Sequence, residues 1–149
     1  FGWNENDVHW CQLEFREGLI NAIVHGTLRV KKAGDTEADE KRFAEDLKKA
    51  RSSEEAKQTK VHVSVDVSPT AIQVDIQDHG GKRTRELVEE FLTRDPTAEG
   101  NRLKTSGRGG LLMKAAFGEN GVRYYPNDLG TKLVLRKEKT GSNTEAPQT

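Results

Sequence analysis

Glu17, Asn21 and His25 recur at a spacing of four within the run EFREGLINAIVHG at 14–26, and that spacing stacks side chains on one face of a helix. At about 100° per residue, Glu17 and Asn21 fall about 40° apart. Their flank also carries Trp10, Leu13, Ile20 and Val24, while Val8, Cys11, Phe15, Leu19 and Ala22 gather roughly opposite. A helix apolar on both sides is expected to be sandwiched, and a carboxylate and an amide inside one apolar side need a partner or a ligand. Glu17 can accept a proton from an attacking hydroxyl, or serve as a structural helix carboxylate. Asn21 offers a carbonyl oxygen to a hard cation, or bonds a neighbouring backbone group. His25 either approaches an anion or caps the helix C-terminus as a partial cation.

Two further segments carry chemistry. Asp78-His79-Gly80-Gly81 ends a strand-like pattern, and Ser106-Gly107-Arg108-Gly109-Gly110 opens a helical one. Asp78 can accept from an amino group or bond its own turn. Gly107, Gly109 and Gly110 let backbone approach a ligand, and the helix after them aims free N–H groups at an anion, although such turns are also common loop devices. Lys104 and Arg108 add positive charge.

The elements that must position these residues are legible in outline. Asn4-Glu5-Asn6-Asp7 caps a helix expected to run to about His25, with Gly26 as its stop. Residues 29–60 are almost all charged or small, with Phe43 and Leu47 as an apolar pair, and predict a solvated helix at about 37–50 inside an insertion; a partner-docking arm is the alternative. Segments 61–67 and 71–77 alternate with period two around Ser68-Pro69-Thr70, which predicts a hairpin. Val61, Val63, Val65 and Val67 share one face, as do Ile72, Val74 and Ile76, so one side of the sheet is expected to be covered and the other wet. Leu87, Val88, Phe91 and Leu92 give 84–92 helical spacing, a polar stretch follows, and a short helix is expected at 110–117. Strands at 121–125 and 131–136 flank the turn at 126–130.

Composition narrows the class. A chain of 149 residues fits one domain, here 1–137, with a polar, disordered tail expected at 138–149. Lys plus Arg and Asp plus Glu number 24 each, so no basic field draws the chain to nucleic acid or membrane. Mean hydropathy is −0.81, which places polar segments around a modest core. The lone Cys11 cannot form an intrachain disulfide and reads as a small core residue in a reducing compartment. No apolar run approaches bilayer length and no signal pattern opens the chain, so a cytoplasmic location is expected. The chain begins with Phe1, as if an upstream segment were removed or left out, and Trp3 and Trp10 either pack or mark an interface.

Taken in order, Glu17-x-x-x-Asn21-Ala22-x-x-His25-Gly26, Asp78-x-Gly80, Ser106-Gly107-x-Gly109-Gly110 and Leu129-Gly130-Thr131 resemble the N, G1, G2 and G3 boxes of the gyrase, Hsp90, histidine-kinase and MutL ATP-binding fold. The subgroup most similar is the anti-sigma-factor serine kinases, over roughly 4–137. The resemblance implies an α/β two-layer sandwich of Bergerat type, a mixed, mostly antiparallel sheet of four or more strands covered by helices. It also implies an N-terminal strand and helix that this chain lacks, with dimer contacts or an exposed edge as the consequence.

The same resemblance assigns ATP and Mg²⁺ as cofactors. Glu17 would be the general base and Asn21 the metal ligand. His25, Lys104, Gly107, Arg108, Gly109 and Gly110 would surround the phosphates, under a lid at about 93–108. Asp78, with Gly80 beside it, would hold adenine, whose amino group distinguishes it from guanine, and Thr131 of the last box would be a further nucleotide-binding position. Implied partners are a sigma factor and a small antagonist protein that is phosphorylated, with a homodimer possible and no direct nucleic-acid contact. The second glycine of the G1 box would fall at Lys82, whereas Gly81 comes one place early. That departure keeps a binding module impaired in nucleotide binding as the alternative, with a histidine-kinase-like ATPase domain as a further one.

Overall fold

The computed structural model of the chain describes residues 2–82, 86, 108–118 and 120–139. Asn4 opens the first helix, α1 (Glu5–Asn21), by accepting the Asn6 N–H at 2.8 Å, and Glu5 and Asp7 set acids at its positive end. The helix stops short of His25. Its backbone widens into a π-helical turn, Ala22–Thr27, in which Leu28 N–H reaches the Ile23 carbonyl at 2.8 Å. Such turns need five-residue spacing and often mark functional sites.

The insertion folds as expected and adds one element. α2 (Glu37–Arg51) begins with a reciprocal Thr36/Asp39 capping box and buries none of its residues. A short helix not foreseen from composition, α3 (Glu54–Gln58), follows, with Ser53 as its cap.

Four strands complete the frame: β1 (His62–Val67), β2 (Ala71–Gln77), β3 (Val122–Pro126) and β4 (Thr131–Glu138), with the helix α4 (Arg108–Phe117) between β2 and β3 in the described sequence. Their order is β1-β2-β4-β3, and all three pairings are antiparallel. α1 packs on α4 and over β2 and β4, and α4 lies over β4 and β3. The result is the expected α/β architecture, with Val74, Ile76, Leu133 and Leu135 meeting Cys11, Ala22, Met113, Ala116 and Phe117 between the layers. Ile76, Met113 and Leu135 are fully buried, each contributing about 1.5–3 kcal/mol of burial. Among the described residues, no helix is long and apolar enough to cross a membrane.

Several sequence expectations are corrected. The stripe of α1 against the sheet is Cys11, Glu14, Gly18 and Ala22, while Trp10, Leu13 and Ile20, on the flank of Glu17, are 52%, 41% and 41% exposed. A helix laid on a sheet meets it along one stripe, so α1 is not sandwiched. β1 is an edge strand with every residue exposed, so its valine face is not covered as that of β2 is. The described part of α4 includes Arg108, so Gly109 and Gly110 are helical and do not form a loop before the helix. β4 continues to Glu138, past both the expected strand end and the domain boundary. The expected helix at 84–92 apart from Glu86, the lid apart from Arg108, Lys104, Gly107 and the tail from 140 onward lie outside the described residues.

Candidate functional site

β2 ends where the β3–β4 turn and the π-helical turn converge. Alternation along β2 carries Ile72, Val74, Ile76 and then Asp78 to the helix-covered face. Asp78 is only 5% exposed. Its Oδ1 accepts the N–H groups of Gly80 at 3.0 Å and Thr131 at 3.2 Å, and its own N–H donates to the Thr131 carbonyl at 3.0 Å. Burial pushes the Asp78 carboxyl above the usual carboxylate range, against the opposing effect of those two backbone donors and of His79.

Two glycines make this enclosure possible. At Gly130, φ is +148°, and a Cβ would stand 2.1 Å from Asp78 Oδ1. At Gly26, a Cβ would stand 2.9 Å from Asp78 Oδ2. The π-helical turn that follows Asn21 therefore presses its backbone directly against the Asp78 carboxyl. Thr27 adds a second tie by accepting the His79 N–H at 3.3 Å through Oγ1.

The turn at 126–130 is built to hold Gly130 in place. Asn127 Oδ1 accepts the N–H groups of Leu129 at 3.0 Å and Gly130 at 3.1 Å, and its Nδ2 donates to Gln77 Oε1 at 2.8 Å. Gly81, with φ +67°, donates its N–H to the Leu129 carbonyl at 2.8 Å. The early glycine of the G1 segment thus occupies a left-handed position that a side chain would strain, and it ties that segment to the turn.

Thr131 is buried, and its Oγ1 has no hydrogen-bond partner among the described residues. A buried hydroxyl without a partner costs free energy unless a ligand or water completes it. Asp78, Gly80 and Thr131, 53 positions apart between the first and last, are thereby brought together.

No protein-family model, curated protein or solved structure matches the chain.

The remaining expected residues are placed less completely. Glu17 and Asn21 are half-buried on α1, with Asn21 its last residue, and Gly26 follows within the turn that contacts Asp78. His25 is exposed. Its Nδ1–H donates to the Val30 carbonyl at 2.6 Å and its ring lies 6.3 Å from that of Phe43, so one ring nitrogen is spent on local backbone, as a cap would spend it. The backbone of Arg108, Gly109 and Gly110 lies in α4, and the residues that precede them, 87–107, lie outside the described residues.

Glu14 is the residue the sequence reading missed. It is 5% exposed, its Oε2 is buried without a partner among the described residues, and burial, then the nearby Glu17 charge, raise its pKa. The available signal was its phase, since 11, 14, 18 and 22 fall on one stripe.

A separate groove of about 780 Å³ runs over the opposite, open face of the sheet between Asp75, Arg123, Tyr125, Lys132 and Arg136. Lys132 pairs with Asp75 at 2.9 Å and Arg136 with Glu138 at 3.4 Å. Because alternate residues of β2 point to opposite faces, this groove is not the Asp78 pocket.

Proposed function

We propose that this chain is an ATP- and Mg²⁺-dependent, cytoplasmic protein serine/threonine kinase of the anti-sigma type, acting on a small antagonist protein and binding a sigma factor. The observation that carries the reading is the Asp78–Thr131 enclosure: a carboxyl aimed inward, glycines at Gly26 and Gly130, and an unpartnered hydroxyl at Thr131. These residues fit an adenine base, whose exocyclic amino group donates where guanine presents a carbonyl.

Each site residue then has a task. Asn21 would hold Mg²⁺ through its amide oxygen, the ion supplying charge neutralisation to the phosphates. Glu17, one turn earlier, accepts the proton of the attacking serine hydroxyl. The N–H groups at the start of α4 receive phosphate charge, with Arg108 and Lys104 contributing cationic side chains. His25, turned to Val30, contributes mainly by fixing the turn that follows Asn21.

Glu17→Ala tests the catalytic assignment. Transfer from labelled ATP to serine of a co-purified partner protein should be abolished while calorimetric ATP binding is kept; normal transfer by the variant removes Glu17 from the mechanism.

A second reading, a partner-binding module that has lost nucleotide, is favoured by one observation: protein atoms already cover Asp78 to 5% exposure. Titration with ATP and Mg²⁺ separates the two. Heat release and a thermal shift support the kinase, and their absence in a folded protein supports the module.

A further inference from the structure

His62 opens β1 directly opposite Gln77 of β2, on the face of the sheet turned away from the helices. Two places past Gln77, the same alternation carries His79 to that face, and the two imidazoles meet with ring centroids 5.0 Å apart and planes 70° apart. The backbone under both rings is fixed. His62 is held by the β1–β2 ladder, and His79 N–H donates to Thr27 Oγ1 at 3.3 Å. On either side of His79, Asp78 N–H is tied to the Thr131 carbonyl and Gly80 N–H to Asp78 Oδ1. His62 is exposed and His79 half-buried, and His79 Nε2 is buried without a hydrogen-bond partner among the described residues. A buried ring nitrogen in that condition costs free energy unless something completes it. His25 shows the contrast, since its Nδ1 is spent on the Val30 carbonyl.

We propose that His62 and His79 together hold one divalent transition-metal ion of the borderline class, represented by Zn²⁺, with His79 binding through Nε2 and water at the remaining positions. Neutral imidazole is a ligand that Zn²⁺, Cu²⁺ and Ni²⁺ favour, whereas Mg²⁺ selects oxygen. Two rings on one tetrahedral Zn²⁺, with Zn–N of about 2.0–2.1 Å, have centroids about 5 Å apart, so the separation found here already matches that of a shared ion. Both backbones are positioned before the ion arrives, which lowers the ordering cost of binding. Among the described residues no group of three His, Cys, Asp or Glu side chains forms a metal set. The site therefore differs from a closed structural centre: its open positions take water or an incoming ligand, and the exposed His62 gives the ion a way in and out. Once bound, the ion adds to the Thr27 tie a second one, joining β1 to the segment that carries Asp78.

The site rests on two imidazoles and not on the kinase reading, so it is tested without nucleotide, and a chain that fails to bind ATP can still bind the ion. Calorimetric titration of the full, metal-stripped chain with ZnCl₂ at about pH 8, where free imidazole is neutral, should show one site that MgCl₂ does not fill. His62→Ala changes an exposed side chain and should weaken Zn²⁺ at least about tenfold, since even an outer-shell partner of a metal ligand is worth that much, with circular dichroism unchanged. His79→Ala should weaken it similarly, and His9→Ala, on α1, should leave it unaltered. Zn²⁺ should also raise the unfolding midpoint of the parent chain and not that of His62→Ala. No heat with ZnCl₂, or binding that survives His62→Ala, overturns the proposal. So does an equal loss in His9→Ala, which would place the ion elsewhere.

Discussion

Asp78 Oδ1 accepts the backbone N–H of Thr131 at 3.2 Å, while the Asp78 N–H donates to the Thr131 carbonyl at 3.0 Å. The two residues thus extend the β2–β4 ladder by one pair in which a side chain replaces a carbonyl. Asp78→Asn cannot serve both sides of this arrangement, because one end of the amide is a donor. Under the proposed reading, an Asn oxygen facing Gly80 and Thr131 leaves its NH₂ facing the amino group of adenine, and ATP affinity should fall by about 10- to 100-fold, or about 1.4–2.8 kcal/mol, as measured by calorimetric titration, with the fold kept by circular dichroism.

Gly130→Ala should be the most damaging single methyl in the site. Its Cβ would meet Asp78 Oδ1 at 2.1 Å, with backbone at φ +148° that an L residue rarely adopts. Strain and lost hydrogen bonds together should cost roughly 2–4 kcal/mol. Urea unfolding reads the loss directly, and a midpoint unchanged from the parent chain would contradict the enclosure.

Glu14 predicts an inverted pH dependence for one part of the stability. Its folded-state pKa is raised above the ordinary 4.5 by burial first and Glu17 second. The folded state therefore holds a proton that the unfolded chain releases, and the Glu14 contribution falls as pH rises from about 4.5 towards the raised value. Glu14→Met should be worth about 1–3 kcal/mol at pH 8 and much less at pH 4. Parallel urea titrations at the two pH values check this; an equal gain at both would show that packing, not ionisation, sets the difference.

Asn21→Ala should separate metal from base recognition. Under the proposed reading, the variant loses the part of ATP affinity that Mg²⁺ confers, about tenfold or about 1.4 kcal/mol, and retains affinity measured in EDTA. Equal losses with and without the ion would argue for a structural Asn21 at the end of α1.

Local rules made much of the frame legible. Asn4 caps α1 as its residue type predicts, the helix expected at about 37–50 is α2, and the period-two pattern of 71–77 matches β2 residue for residue, because capping and alternation act between neighbours in the chain. The pairing of Asp78 with Thr131 was not legible: the ordered motifs named each as a nucleotide-binding position, but no spacing rule relates residues so far apart in the chain. The π-helical turn after Asn21 was not legible, since Gly26 read as a helix stop, when its absent side chain is what admits Asp78.

The sequence by itself determined which residues alternate, which can cap and which have side chains suited to chemistry. The tertiary structure decided what those patterns face. Val63, Val65 and Val67 have the same alternation as Ile72, Val74 and Ile76, yet the first set is exposed and the second buried. The difference is position in the sheet, with β1 at the rim and β2 beneath α1. Glu14 and Glu17 are likewise two carboxylates three residues apart on one helix, and a rotation of about 60° sends only Glu14 into the core. Spacing put Glu14 on one stripe with residues 11, 18 and 22, but which stripe is buried is decided by what packs on it.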